Sequence, residues 1–527
     1  MSTALHPASP SIGHDAPLEE ALRRADAAAA HAGLDAYASQ LAQTQPPAAA
    51  AQDDPAWQAQ RALGRRQGLV AGALTQETPG RWSLWAAGMY LHSQLAPDSV
   101  DPLLLTSGAL AVLRKEPALW ARLGPLLRST EDDARDLPIA QKSALWMGLD
   151  ANVVQATQAL QPTFQQLQAT PVGMGLWGQQ FLLSGRTPGL ATPDSDAHLL
   201  CAQTAQGPSC FFVPRWREDG QRNGVEVKPQ YNALGTTVAA GLQLDAASGY
   251  LLGEEGQGHA SLGAAQCVVR LGHTLASCAL LRQALVQSLT QARRLTKLEQ
   301  QPLLGSVLVD MALESEAALM LSMRLAQAFE RCDDSSEDHL PVVDRALQQV
   351  MAPAAQFWIG RRAMEITAET MEWAGSQGAL DTPQGRTRAR LFLAAPAQGR
   401  GEGIGNALCL QALQALDRQR PMAGQLFEAL EGIASGDARI VAQLHSLRAM
   451  LAQPPAEQQA MARMLVQRLV LTVQACLLLR DAPPPVSQAF ITSRLGQGGA
   501  GRVLGALDTR KMDVNLLLQR ALPYSTP

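Results

Sequence analysis

Aromatic residues are scarce in this chain, at 4%, and charged residues make up only 17% against 46% apolar. With abundant Ala, Leu and Gln, that balance describes a soluble globular protein dominated by helix. A charge bias is missing too. The 43 basic and 47 acidic residues leave a net charge of −4, which excludes a chain-wide affinity for nucleic acid or anionic membrane and confines any polyanion site to a local patch. The seven cysteines (Cys201, Cys210, Cys267, Cys278, Cys332, Cys409 and Cys476) include no C-x-x-C and are odd in number, as expected in a reducing compartment. Met1 to Glu20 lacks the basic residue and apolar run of a signal peptide, so the expected location is the cytoplasm. No stretch reads as a membrane span. The most apolar run late in the chain, Leu465 to Leu479, is broken by Gln467, Arg468, Thr472 and Gln474 and falls short of the ~20 residues a bilayer requires, so it reads as a buried helix.

Several chemistries lack their signatures as well. The nine histidines form no H-E-x-x-H and no Cys/His cluster with zinc spacing, so no metal site is expected. Ser195 has no G-x-S-x-G setting, which removes the usual support for hydrolase chemistry. Gly496-Gln497-Gly498-Gly499-Ala500-Gly501 does match G-x-G-x-x-G, but phosphate binding by that motif needs a strand before it and a helix after it. Its surroundings read as helices, so it reads as an interhelical loop.

A chain of 527 residues predicts two to four domains. Residues 1–54 read as a helix and a loose Ala/Pro-rich linker. Residues 55–144 carry helical periodicity and form an α-domain. In 145–258 the pattern turns to short apolar runs punctuated by Gly and Pro: Met174 to Leu183, His198 to Thr204, Ser209 to Pro214, Val225 to Pro229 and Gly241 to Asp245. About five such strands predict a small β-barrel or sandwich. Residues 259–417 return to long helical periods over Ala260 to Leu295, Leu303 to Cys332, Asp344 to Ala374 and Asn406 to Leu416, the pattern of a four-helix bundle. The segment 418–527 is helical and carries the one charge excess, twelve basic against seven acidic residues, or +5 where the whole chain has −4. Its arginines either face duplex DNA without sequence preference or dock the segment on acidic neighbours.

Particular residues carry a resemblance beyond this order of domains. Pro193-Asp194-Ser195-Asp196-Ala197-His198-Leu199-Leu200, then Ser209-Cys210-Phe211-Phe212-Val213-Pro214-Arg215, Asp219-Gly220-Gln221-Arg222-Asn223 and the Leu251-Leu252-Gly253-Glu254-Glu255-Gly256-Gln257-Gly258 turn resemble the middle domain of the AidB-type (adaptive response, DNA alkylation) branch of the acyl-CoA dehydrogenase family. Weaker similarity extends from about residue 54 to the C-terminus. The resemblance implies a mainly α fold with a small β-domain and a helical C-terminal extension. It also implies an FAD-linked oxidoreductase that desaturates acyl-CoA thioesters, assembled as a homodimer or homotetramer. In the family a carboxylate takes the α-proton while a hydride passes to the flavin. A thioester carbonyl polarised by hydrogen bonds makes that proton acidic, and a dry pocket makes the carboxylate basic.

In the W-E-G-S-G-N stretch of the branch the base is Glu, and the matching run here is Gly401-Glu402-Gly403-Ile404-Gly405-Asn406, which nominates Glu402. For FAD the resemblance nominates Asn152 and Thr157, in the stretch where the family has M-T-E-x-x-x-G-S-D. It adds Ser184 of Phe181-Leu182-Leu183-Ser184, Arg293 or Arg294 for the diphosphate, and Gly375 and Gly378 of Gly375-Ser376-Gln377-Gly378 for the adenine side. These stretches also depart from the family. The Trp beside the flavin ring is absent, the R-x-x-F-G-x-x-L segment is shortened, and an active-site Arg is replaced by Gln414. Losses at several independent contacts of one cofactor imply weak or lost FAD binding, and with it weak or lost dehydrogenation. The alternative is a non-catalytic stress-response binding or scaffold protein.

Overall fold

The computed structural model describes residues 12–44, 54–149, 167–187, 192–229, 240–295, 300–335, 341–373, 382–398, 405–418, 420–434, 436–496 and 503–522. Six longer helices precede the sheet: α1 (Ala16–Arg24), α2 (His31–Ala42), α3 (Pro55–Arg66), α4 (Arg81–Leu95), α5 (Val100–Leu113) and α6 (Pro117–Arg128). Their starts are written locally. Asp15 caps α1, and Asp54 accepts from the Ala56 amide ahead of α3, with proline in the first turn of both. The N-terminal segment is more than one helix and a linker. Leu18, Leu22, Tyr37 and Leu41 are buried in the core, and Tyr90 of α4 donates to Asp15 at 2.9 Å.

Seven strands follow: β1 (Met147–Leu149), β2 (Gln168–Gly175), β3 (Gly178–Arg186), β4 (Ala197–Thr204), β5 (Gly207–Pro214), β6 (Val225–Pro229) and β7 (Ala240–Leu252). Pairing runs β4-β2-β3-β7-β5 and returns from β5 to β4, so these five close a small barrel, with β1 added on β4 and β6 on β7. Side-chain alternation divides the strands into two faces. Phe181, Leu183, Leu200, Phe211, Val213 and Leu242 fill the barrel, while Leu199, Cys210, Phe212 and Tyr250 join the helical core. The run Met174 to Leu183, expected as one strand, is a hairpin. Gly178 at φ +118° lets the chain reverse around Leu176 and Trp177, and Trp177 inserts edge-on between Phe212 and Tyr250.

After the sheet come α7 (Gly258–Leu295), α8 (Pro302–Asp334), α9 (Ala352–Trp373), α10 (Pro383–Ala397) and α11 (Gly405–Arg418). The C-terminal segment adds α12 (Arg420–Ala434), α13 (Ala438–Leu451), α14 (Ala462–Asp481), α15 (Pro484–Leu495) and α16 (Val514–Ala521). By length and composition α7 and α14 are apolar enough to cross a membrane, yet 83% and 72% of their most apolar windows are buried inside the fold. A helix apolar on all sides belongs in a core. The α7 helix crosses α5 closely because glycine faces each helix. A Cβ on Gly272 would lie 2.1 Å from Leu104, and one on Gly108 would lie 2.8 Å from Val269. The helix α10, absent from the sequence reading, starts at Thr382, whose hydroxyl caps the Gly385 amide at 3.1 Å.

Candidate functional site

The segment 399–404, which carries Glu402, lies outside the described residues, but the residues on either side of it are defined. Before it, Gln398 at the end of α10 is buried, with Oε1 3.1 Å from Nδ1 of His273 on α7. The amide oxygen can only accept, so Nδ1 carries the hydrogen. After the segment, α11 begins at Gly405, where an added Cβ would meet Arg361 at 2.9 Å and the Phe357 ring at 3.1 Å. That approach explains the glycine, because α9 leaves no room for a side chain at the first residue of α11. Asn406 accepts from Arg463 Nε at 2.8 Å, which ties the same turn to α14.

One turn before His273, Arg270 donates from Nη2 to Gln411 of α11 at 2.8 Å. Arg270 and His273 therefore lie on one face of α7, both buried, and hold the two sides of the segment in a polar seam between α7, α10 and α11. Sequence reasoning did not pick out this pair. The available signal was two polar residues, three apart, interrupting an otherwise apolar helix. On the outer side of α10, Arg390 is ion-paired with buried Asp98. Burial raises the Asp98 carboxyl above its ordinary range even though the guanidinium pulls it down. Gln414, in the place of the family's arginine, is exposed on α11.

Among the flavin nominees, Asn152, Thr157, Gly375 and Gly378 lie outside the described residues, as does the catalytic nominee Glu402. Ser184 is exposed on β3, and its Oγ accepts from the Ala246 amide at 3.1 Å. Arg293, at the end of α7, is engaged within the chain. Its Nη2 donates to the carbonyls of Leu518 at 3.1 Å and Leu522 at 2.6 Å, at the end of α16. Three turns earlier on α7, Arg282 gives Nη1 to the Ala521 carbonyl and Nη2 to that of His14 at 2.6 Å. These arginines donate to carbonyls at the last turn of α16 and ahead of α1, where a helix end leaves acceptor capacity open. Arg294 beside them is exposed. Of the two guanidiniums nominated for the diphosphate, Arg293 therefore serves the C-terminal helix and Arg294 is the one left at the surface.

Two arginines of 418–527 are buried against carboxylates outside the segment. Arg494 meets Asp310 and Glu314 of α8, and Arg520 meets Glu20 and Glu316. Arg420, Arg439, Arg448, Arg480 and Arg510 each face a carboxylate within or beside the segment. Docking on acidic neighbours is thus the role of Arg494 and Arg520, whereas Arg420, Arg448, Arg480 and Arg510 stay exposed beside local carboxylates. DNA binding through this segment gains no support from this arrangement. Of the G-x-G-x-x-G run, only Gly496 lies among the described residues, and it directly follows α15. No group of three or more His, Cys, Asp or Glu able to hold a metal occurs among the described residues.

Two family models match the chain: the adaptive response protein AidB N-terminal domain over residues 50–134 and the acyl-CoA dehydrogenase C-terminal domain over residues 256–417. The putative acyl-CoA dehydrogenase AidB of Escherichia coli (strain K12) is 31% identical over 425 residues, covering 79% of this chain and 75% of that protein. Among solved structures, Caenorhabditis elegans ACDH-11 in complex with C11-CoA superposes with a TM-score of 0.74 at 16% identity, over 99% of this chain and 93% of that one. An acyl-CoA dehydrogenase complexed with FAD from Bacillus anthracis gives 0.59 at 15% identity, over 88% of this chain and 81% of that one. The helical domains around a small β-barrel, and the extended sequence identity, lead to one assignment: the chain belongs to the AidB-type acyl-CoA dehydrogenase family.

Proposed function

We propose that this protein is a cytoplasmic, homo-oligomeric AidB-like acyl-CoA dehydrogenase-family protein that accepts acyl-CoA thioesters but holds FAD weakly, so that α,β-dehydrogenation is weak or lost. The observation that carries this reading is the Arg293 guanidinium, hydrogen-bonded to the Leu518 and Leu522 carbonyls instead of being left for a diphosphate. The family's flavin, when bound, supplies the hydride acceptor. This chain's own contribution is the seam of Arg270, His273, Gln398 and Gln411, which braces the two sides of the segment that carries Glu402. A fatty acyl thioester is the substrate class we assign, because the Caenorhabditis relative of the same fold was solved with C11-CoA.

The test is acyl-CoA-dependent dye reduction by the purified protein, measured without added FAD and with FAD in large excess. The expected result is no reduction in the first case and slow reduction in the second, abolished by Glu402→Gln. If excess FAD changes neither spectrum nor rate, the enzyme reading fails and the non-catalytic binding protein replaces it.

A further inference from the structure

Cys201 and Cys210 face each other across the antiparallel pair β4–β5, in direct register. Residues directly opposite in such a pair point to the same face, with Cα atoms about 4.5–5.5 Å apart. A disulfide spans Cα separations of roughly 4.4–6.8 Å, so the strand pairing already supplies the geometry. Here the shared face is the helical side of the barrel, and both cysteines pack into the helical core. All seven cysteines carry thiols.

We propose that Cys201 and Cys210 form a redox-active cross-strand dithiol, oxidised by hydroperoxides to an intramolecular disulfide. The two thiols differ in the way the chemistry requires. Cys201 is partly exposed, whereas Cys210 is fully buried. The Cys201 sulfur also lies at the start of α7, where a Cβ added to Gly258 would come within 2.7 Å of Sγ. The amino end of a helix favours a thiolate, the nucleophilic form of cysteine. The Cys201 thiolate attacks one peroxide oxygen and breaks the O–O bond, giving a sulfenic acid and releasing hydroxide or alkoxide. Cys210 then attacks the sulfenic sulfur, the S–O bond breaks, and the hydroxyl leaves with the Cys210 proton as water. The peroxide is reduced by two electrons and the thiol pair is oxidised by two.

Four of the five other thiols compete poorly, and burial raises one of them, Cys278, well above its ordinary value. Burial pushes Cys332 up to about 11 and Cys409 and Cys476 up to about 12, leaving little thiolate near neutrality. Burial also raises Cys210, which suits it to the second, resolving step and not the first.

The experiment treats the full chain with hydrogen peroxide, blocks remaining thiols under denaturing conditions, and maps tryptic peptides without reduction. No Lys or Arg lies between Arg186 and Arg215, so both cysteines fall on one peptide. The expected result is loss of two of the seven thiols, with that peptide unalkylated and lighter by two hydrogens, and full recovery on reduction. C210S should stop at a sulfenic acid on Cys201 that dimedone labels, and C201S should leave position 210 unlabelled. A count that stays at seven, a disulfide between other cysteines, or first oxidation at Cys210 would each overturn the proposal. Mapping the unmutated chain keeps the test decisive even if a variant folds badly.

Discussion

Arg494→Met tests how the C-terminal segment is held on the bundle. Arg494 lies with its side chain 7% exposed between Asp310 and Glu314, which are 6% and 2% exposed, and its Nε is 2.8 Å from Glu314 Oε1. Arg362 reaches the other oxygen of Glu314 at 3.3 Å, and Asp310 Oδ2 accepts from the Gly505 amide at 2.7 Å. Burial alone would raise the Glu314 carboxyl, yet Arg362 and Arg494 outweigh it and hold the group below its ordinary value. Removing one partner from a buried ion pair costs about 3–5 kcal/mol, because the charge left behind has neither water nor a counter-ion. Arg362 still neutralises Glu314 in the variant, so we place the effect at the low end, about 3 kcal/mol, with Asp310 bearing most of it. Hydrogen exchange resolved to residues 484–522 and 302–334 measures this locally, without assuming that a chain of this size unfolds in one step. Protection in both segments should fall together, and a companion variant that also carries Asp310→Asn, which removes the stranded charge but keeps an acceptor for the Gly505 amide, should recover much of it. A loss below about 1 kcal/mol for Arg494→Met would refute the reasoning, since surface pairs already account for that much.

Gly405→Ala should push the first turn of α11 away from Arg361 and Phe357 and cost about 1–3 kcal/mol, read from a urea midpoint; an unchanged midpoint would show that α9 yields freely. Burial lowers His198 to about 4 and His92 to about 3, so both are neutral in the folded chain at pH 7. Because these folded values lie below the unfolded one, their contribution is complete above pH ~6.5 and is lost as pH falls. For His198 alone the loss between pH ~6.5 and 4 is about 3 kcal/mol, and His92 adds a similar amount, so His198→Gln should roughly halve the fall of the denaturant midpoint over that window. A midpoint independent of pH over that window would contradict the burial of both rings. Gel-shift titration of duplex DNA should show no tight complex at physiological salt. A tight, salt-sensitive complex lost on deleting 418–527 would mean that those arginines leave their carboxylates for phosphate.

The fold class was legible because its signals are local. Strand ends were marked by Gly and Pro, and the long helices by apolar periodicity. Local signals also misled. Met174 to Leu183 is a run of short apolar stretches but reverses at Leu176 and Trp177. The site was legible only through family resemblance, which reached Glu402 and the flavin nominees. It could not reveal that Arg293 serves carbonyls more than two hundred residues away, or that Arg494 and Arg520 find carboxylates on the bundle and in the N-terminal segment. Such pairings belong to the tertiary structure, and nothing in the spacing of a single sequence encodes them. The Cys201–Cys210 register falls between these cases, since both strands were readable but their alignment was not.

The account's central claim, a family fold with a weakened hold on its cofactor, is tested most directly by the flavin content of the purified protein. A flavin site is built from many modest hydrogen bonds, each worth about 0.5–1.5 kcal/mol net. Losing four or five costs several kcal/mol, or roughly two to five decades of affinity. Absorbance between the protein band and the visible region, calibrated against FAD released by denaturation, gives the stoichiometry. The account predicts protein that purifies nearly colourless, with far less than one FAD per chain. Yellow protein with one tightly held FAD per chain would contradict it and would mean that residues outside the described set replace the lost contacts.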